Sequence, residues 1–563
     1  MLPVHRFRVM SQKLFVPFLF AIAVLENFLA ATWNVDPYHE GALFPTAAGL
    51  AEGLSPFREV SQQYGFLGPL IVSLPLRVFG KYLLVERLFG FFLILLIAFL
   101  TYMNLRVLTS KLISKYMTLL WLTISPIWSW PFESSALSGG YWPNHLGISL
   151  VLTAIYILLK SNIAALISGF LVLMSSQARA EFIFVWIFMS IAIIFKEKEK
   201  RIFWAIGSFL AALAIFLYLS TNQAINDWFE QTFVVWTMDP PGVPEINLNF
   251  FIFNFVNFFG VAVVGLILWL SAARLSANFR SIGLAVFTQS ALITAFLLVP
   301  SLLKVEYEFG NYSFSEAIRY FFRNTLFAYI NLSMTVCAVL LILITYKYRK
   351  GTISKIETFN PSFVVVFSAA FGVLSLFHNF NPDYSQMIWP IFGLLIVALA
   401  PLSSFLNHDS FNEKAFRVFL IGLLVASHGT FLYHAKSQVI PYKTQMLTGL
   451  YGNSQNLVQG LDESFATISS QATKRKMLMA CQSGLLSTSE EGFLGSDKWT
   501  WNQQPAEMIA GRLVNLEIGQ TILTCQLNSE DAARIYELLR TKFIEVASEN
   551  DGFTLYRVVK SIP

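Results

Sequence analysis

The chain has 563 residues, 55% of them hydrophobic and 13% charged, with a mean hydropathy of +0.58. Soluble domains carry about 25% charged residues, so a wholly soluble protein is excluded. The formal net charge of +5 does not point to nucleic acid, because the basic residues gather in short loops between apolar runs, where they set membrane orientation.

Residues 1–13 carry His5, Arg6, Arg8 and Lys13, and residues 14–32 form the first apolar span. Basic-then-apolar order also marks signal peptides. Glu26 and Asn27 interrupt the apolar stretch and many further spans follow, so a retained anchor with a cytoplasmic N-terminus is expected. Loop 33–82 then lies outside. Within it, 42–54 and 67–79 read as short juxtamembrane helices.

The next spans are 83–105 and 117–131, with Arg106, Lys111 and Lys115 between them on the inner side. Span 145–160 and two shorter runs, 163–176 and 182–195, follow, the last two flanking Gln177-Ala178-Arg179-Ala180-Glu181. A charged inner turn at 196–201 leads to span 202–220. Spans 250–272, 282–300, 324–345, 361–377, 387–403 and 415–432 complete the series. Apolar runs of about 20 residues suit bilayer crossing, and the count comes to about thirteen. Basic loops alternate with acidic, aromatic ones, which places the latter outside with the tail.

The expected fold is therefore mainly α: a polytopic membrane module over 1–434, plus a small extracytoplasmic α/β domain over 435–563. In the tail, strands are expected at 476–482, 521–527 and 553–559, and helices at 454–473 and 529–546. Of the three cysteines, Cys337 lies in an apolar run, whereas Cys481 and Cys525 are both in the tail and could pair in an oxidising compartment.

Charged residues beside the spans carry the chemical signal. The first outer loop opens with Asp36-Pro37-Tyr38-His39-Glu40-Gly41 and continues through Pro56-Phe57-Arg58 to Tyr64-Gly65-Phe66-Leu67-Gly68-Pro69. A carboxylate at the edge of hydrocarbon is costly unless paired or used. In this position it can take a proton from a hydroxyl, and a nearby guanidinium can hold a phosphate. Arg58, Arg179, Arg319 and Arg323 are the candidates for the second role. Tyr64, His378 and Asp383 are further substrate-binding candidates on the same side. His145, after Pro143-Asn144, reads as structural.

This combination resembles the GT-C superfamily, integral membrane glycosyltransferases that use polyprenyl-phosphate-linked sugars. The likeness rests on the acidic motif after the first span, the Pro-aromatic-Arg turn, the Tyr-Gly-X-X-X-Pro run, and many spans followed by an outer domain. The resemblance implies that Asp36 is the general base, with Glu40 as a second acidic residue, in an inverting displacement. It implies a polyprenyl-phosphate-linked sugar as donor, a glycan, lipid or cell-envelope acceptor, and a plasma-membrane location, bacterial in type. Some relatives bind a divalent cation such as Mg, Mn or Ca, for which His39 and Glu40 are the candidate ligands. One departure is that Asp36 and Glu40 do not form an acidic doublet. The alternatives are a multi-spanning polysaccharide polymerase or ligase, which would favour an Arg-rich outer loop, and a secondary transporter, which would show inverted repeats.

Overall fold

The computed structural model describes residues 2–33, 39–60, 64–108, 110–129, 143–158, 160–180, 182–196 and 198–234, then short pieces between 417 and 452, and strands between 477 and 559. The described chain is that of a mainly α-helical integral membrane protein. Three of its helices hold segments long and apolar enough to cross a bilayer: Leu14–Ala31, Leu83–Val107 and Arg201–Thr221.

The helices, in order, are α1 (Leu2–Ala31), α2 (His39–Ala51), α3 (Leu67–Phe79), α4 (Leu83–Leu108) and α5 (Lys111–Ser129). They continue with α6 (Pro143–Leu158), α7 (Ala164–Ser175), α8 (Phe182–Lys196), α9 (Arg201–Thr221) and the single turn α10 (Ile225–Phe229), which runs into a π-helical turn at Glu230–Val234. Two boundaries differ from expectation. Helix α5 begins at Lys111, because Ser110 caps it: its Oγ accepts the Ile113 N–H at 3.3 Å. Lys111 and Lys115 are therefore on a helix and not in a loop. The short helix expected at 42–54 starts earlier, at His39.

One apolar core joins α1, α4, α5, α6, α7 and α8, with Leu19, Ile97, Trp121, Val151, Val172 and Met189 among its buried members. Lipid tails are as apolar as leucine, so burial of apolar side chains does little to hold spans together, and close contact and polar bonds do so instead. Asn27 on α1 donates to Leu122 O on α5 at 3.0 Å and accepts from Ser125 Oγ. Asn104 on α4 donates to Leu152 O on α6 at 3.0 Å. Ser168 Oγ on α7 donates to Ala154 O at 2.8 Å, and Trp186 Nε1 on α8 donates to Ser208 Oγ on α9 at 2.9 Å. Helices α7 and α9 touch backbone to backbone: a Cβ on Gly207 would lie 1.9 Å from Leu166 O. The opposite face of α9 shows Ile202, Phe209 and Phe216, more than half exposed, as a lipid-facing side requires.

The expected last span is described only in pieces. Leu420 and Leu424 enter the same core, and Arg417 Nε donates to Tyr116 OH at 2.7 Å. Spans expected between 250 and 403 lie outside the described residues.

In the tail, β3 (Met477–Cys481), β6 (Gly495–Thr500), β7 (Thr521–Cys525), β8 (Ile544–Asn550) and β9 (Phe553–Val558) form one sheet in the order β6-β3-β7-β9-β8. β3 runs parallel to both its neighbours, and β9 antiparallel to both of its own. Two two-stranded pairs accompany it, β1 (Ile440–Pro441) with β2 (Tyr451–Gly452) and β4 (Thr488–Ser489) with β5 (Gly492–Phe493). The helix expected over 529–546 is corrected at its end: 544–546 belong to β8, whose pairing with β9 overrides the amphipathic pattern. The root of the tail meets the start of the loop that follows α1. Tyr451 N–H donates to Thr32 O at 2.9 Å, and Tyr451 bridges Trp33.

Candidate functional site

The loop that follows α1 is fastened at its base by α4. Arg87 is fully buried there, and its Nε donates to Glu40 Oε1 at 2.5 Å. Its Nη1 donates to Trp33 O at 2.7 Å. One guanidinium thus grips the chain on both sides of the segment that carries Asp36. Glu40 also occupies the first turn of α2, where a negative charge suits the helix dipole.

The loop then turns twice, and each turn packs on a later helix. At Pro56-Phe57-Arg58, Phe57 is buried in the left-handed region, with φ of 62°. Such strain persists only where surroundings hold it. Here Gln231, itself buried, donates to Phe57 O at 2.7 Å. Arg58 is exposed and donates to Gln223 Oε1 at 2.9 Å. Phe66 stacks on Tyr218 of α9, with centroids 4.3 Å apart.

The second turn, Tyr64–Leu67, lies against the break between α7 and α8. Leu67 N–H donates to Gln177 O at 2.9 Å. Gly65 is required here because a Cβ would stand 2.2 Å from Gln177 O. The Arg179 guanidinium, 3% exposed as a residue, lies 5.3 Å from the centre of the Tyr64 ring. Tyr64 and Arg179, 115 positions apart by their numbers (179 − 64), are thereby brought together.

Of the residues picked from the sequence, the structure unites Tyr64 with Arg179 and ties Glu40 to Arg87. It leaves Arg58 on the surface against Gln223. Asp36, Arg319, Arg323, His378 and Asp383 lie outside the described residues, as does the side chain of His39. A metal at Glu40 finds no cradle among the described residues. Its Oε1 already accepts from a guanidinium, and no three His, Cys, Asp or Glu side chains gather there.

Sequence reasoning missed Arg87, which sits inside an apolar run. The available signal was the run itself: an ionisable residue within a span marks a partner or a function. It also passed over Asn144 and Gln177. Asn144 and His145, each 1% exposed, open α6, and Gln177, 6% exposed, opens the α7–α8 break. Among the described residues, Asn144 Nδ2, both ring nitrogens of His145, and Gln177 Oε1 have no hydrogen-bond partner.

No protein-family model matches the sequence, and no curated protein matches it. Among solved structures, the chain is similar to ArnT from Cupriavidus metallidurans bound to undecaprenyl phosphate. The identity is 12%, over 97% of this chain and 98% of that one, with a TM-score of 0.41. It is also similar to the oligosaccharyltransferase of Archaeoglobus fulgidus in complex with Zn and sulfate, at 11% identity over 90% of this chain and 68% of that one, with a TM-score of 0.44. The same archaeal enzyme, AglB, in complex with an inhibitory peptide and a dolichol-phosphate gives 11% identity, coverage of 92% and 70%, and a TM-score of 0.41.

Proposed function

We propose that the chain is an inverting membrane glycosyltransferase that moves a sugar from a polyprenyl phosphate to a glycan, lipid or cell-envelope acceptor outside the plasma membrane. The observation that carries the reading is the junction of Tyr64 with Arg179. The first outer loop is not a free connector. It is built into the helices at Arg87 and again at Gln177, and its second turn meets a buried guanidinium.

In this reading Asp36 takes the proton of the acceptor hydroxyl. The hydroxyl oxygen forms a bond to the anomeric carbon as the bond to the phosphate oxygen breaks, and the configuration inverts. The electron pair leaves with the polyprenyl phosphate, whose growing charge Arg179 stabilises. Arg58, Arg319 and Arg323 are the other cations proposed to face the phosphate, and His378 and Asp383 the polar groups proposed to face the substrate. The tail, 435–563, is proposed as an outer domain.

The test is sugar transfer by the purified full chain in detergent, with polyprenyl-phosphate hexose, pentose and amino-sugar donors. Release of polyprenyl phosphate with one donor, lost in Arg179→Gln, is the expected result. No release with any donor overturns the reading. Orientation is tested by Gln504→Cys in intact cells, which is expected to label with a membrane-impermeant reagent. Labelling only after the membrane is opened overturns the outward tail.

A further inference from the structure

A buried polar group without a partner costs stability, so each one calls for an explanation. Four such atoms fall on two neighbouring elements. Asn144 and His145 form the first turn of α6, a helix of 16 residues with Pro143 at its start. Gln177 opens the segment that links α7 to α8. Helix α6 touches the residue at which that segment ends, Phe182, the first of α8. A Cβ on Gly147 of α6 would stand 2.4 Å from the ring of Phe182, and Phe182 N–H donates to Arg179 O at 3.1 Å. Asn144 precedes Gly147 by three positions and so shares its face of α6. It belongs to the side of the helix that meets Phe182, whose backbone is bonded to Arg179.

The open valences have a definite chemistry. Among the described residues, Asn144 Nδ2 is an unused donor, and Gln177 Oε1 is an unused acceptor. A neutral imidazole at His145 adds one of each. A set that lacks both donors and acceptors in return fits hydroxyl groups, each of which gives one hydrogen and accepts another. A bare anion would leave Gln177 Oε1 facing negative charge. Arg179, two residues beyond Gln177, provides the cation for an attached phosphate.

We propose that Asn144, His145 and Gln177 form the subsite that holds the sugar hydroxyls of a lipid-linked sugar, beside Arg179 and Tyr64. This assignment rests on the glycosyltransferase reading and names the part of the donor these residues recognise. Asn144 Nδ2 donates to a sugar oxygen, and a sugar hydroxyl donates to Gln177 Oε1. Both groups stay unsatisfied until the sugar arrives. Their cost to the free protein is then the source of discrimination against a lipid phosphate that lacks the sugar.

The experiment measures binding of two probes to the full chain in nanodiscs: polyprenyl phosphate alone, and polyprenyl phosphate carrying a hexose, a pentose or an amino sugar. The variants are the near-isosteric Asn144→Leu and Gln177→Met. Each is expected to weaken binding of the preferred sugar lipid about tenfold, the loss of one buried hydrogen bond, and to leave polyprenyl phosphate binding unchanged. Each is also expected to melt no lower than the parent, because it removes an unsatisfied polar group. Arg179→Gln is expected to weaken both probes. Unchanged sugar-lipid binding in both isosteric variants overturns the subsite and assigns the open valences to water. In that case the glycosyltransferase reading still stands. If the parent chain binds neither probe, both fall.

Discussion

Arg87 and Glu40 form a salt bridge that is closed to solvent on both sides, with side-chain exposures of 0% and 3%. The pair joins α4 to the first turn of α2, and the same guanidinium donates to Trp33 O. Breaking a buried pair by removing one partner leaves an uncompensated charge, at a cost of about 3–5 kcal/mol. Arg87→Ala and Glu40→Ala are each expected to lower the thermal unfolding midpoint in detergent by that scale of stability. The apolar double variant Arg87→Met with Glu40→Leu is expected to recover most of the loss of Arg87→Ala, because no charge is left stranded. A double variant no more stable than either single one would show that the bond to Trp33 O, and not the ion pair, is what matters.

Close backbone contact is the second source of stability. Gly207 meets Leu166 O and Gly65 meets Gln177 O at distances no Cβ can share. Overpacking of this kind costs about 1–3 kcal/mol where neighbours can shift, and here the neighbours are backbone. Gly207→Val is expected to part α7 from α9 and lower the unfolding midpoint. Gly65→Ala is expected to act locally, lifting the Tyr64 turn off Arg179. Sugar transfer then falls while the unfolding midpoint moves less than in Gly207→Val. The two variants are compared by thermal unfolding and transfer rate side by side.

Much of the helical layout was legible. The extent of α3, Leu67–Phe79, follows from its apolar run despite Pro69 and Pro75. Pro69 lies in the first turn, where its missing N–H removes no helical bond. The long span at 83–105 and the run at 202–220 are similarly plain, because membrane spans are written in composition. What escaped was pairing across distance. Arg87 finds Glu40 and Trp33 more than forty positions away, |i−j| = 47 and 54, and no local pattern announces that. The Tyr64–Arg179 contact depends on how a glycine turn seats on Gln177. Strand β8 was hidden for the same reason: its partner β9, and not its own pattern, decides its conformation.

The tail offers a prediction on redox state. In the parallel ladder of β3 with β7, Met477 pairs with Thr521 and Ala480 with Thr524. Continued by one residue beyond the last pair of that ladder, the register would set Cys481 beside Cys525, the last residues of their strands. Facing residues on adjacent strands are about 5 Å apart at Cα, within the range a disulfide spans. With the tail outside, the two are expected to be bonded. Alkylation of the unreduced, unfolded protein is then expected to modify one thiol, Cys337, and all three after reduction. Three modified thiols before reduction would contradict the bond and weaken the case for an oxidising compartment.

The central claim is that the first outer loop performs the chemistry, with Asp36 as its base. The most direct measurement is the transfer rate of Asp36→Asn in purified protein, against a polyprenyl-phosphate sugar that the parent chain uses. The account predicts that the rate falls at least about a hundredfold, the lower end of what a positioned base contributes, with donor binding and thermal unfolding unchanged. Transfer at the parent rate would remove Asp36 as the base.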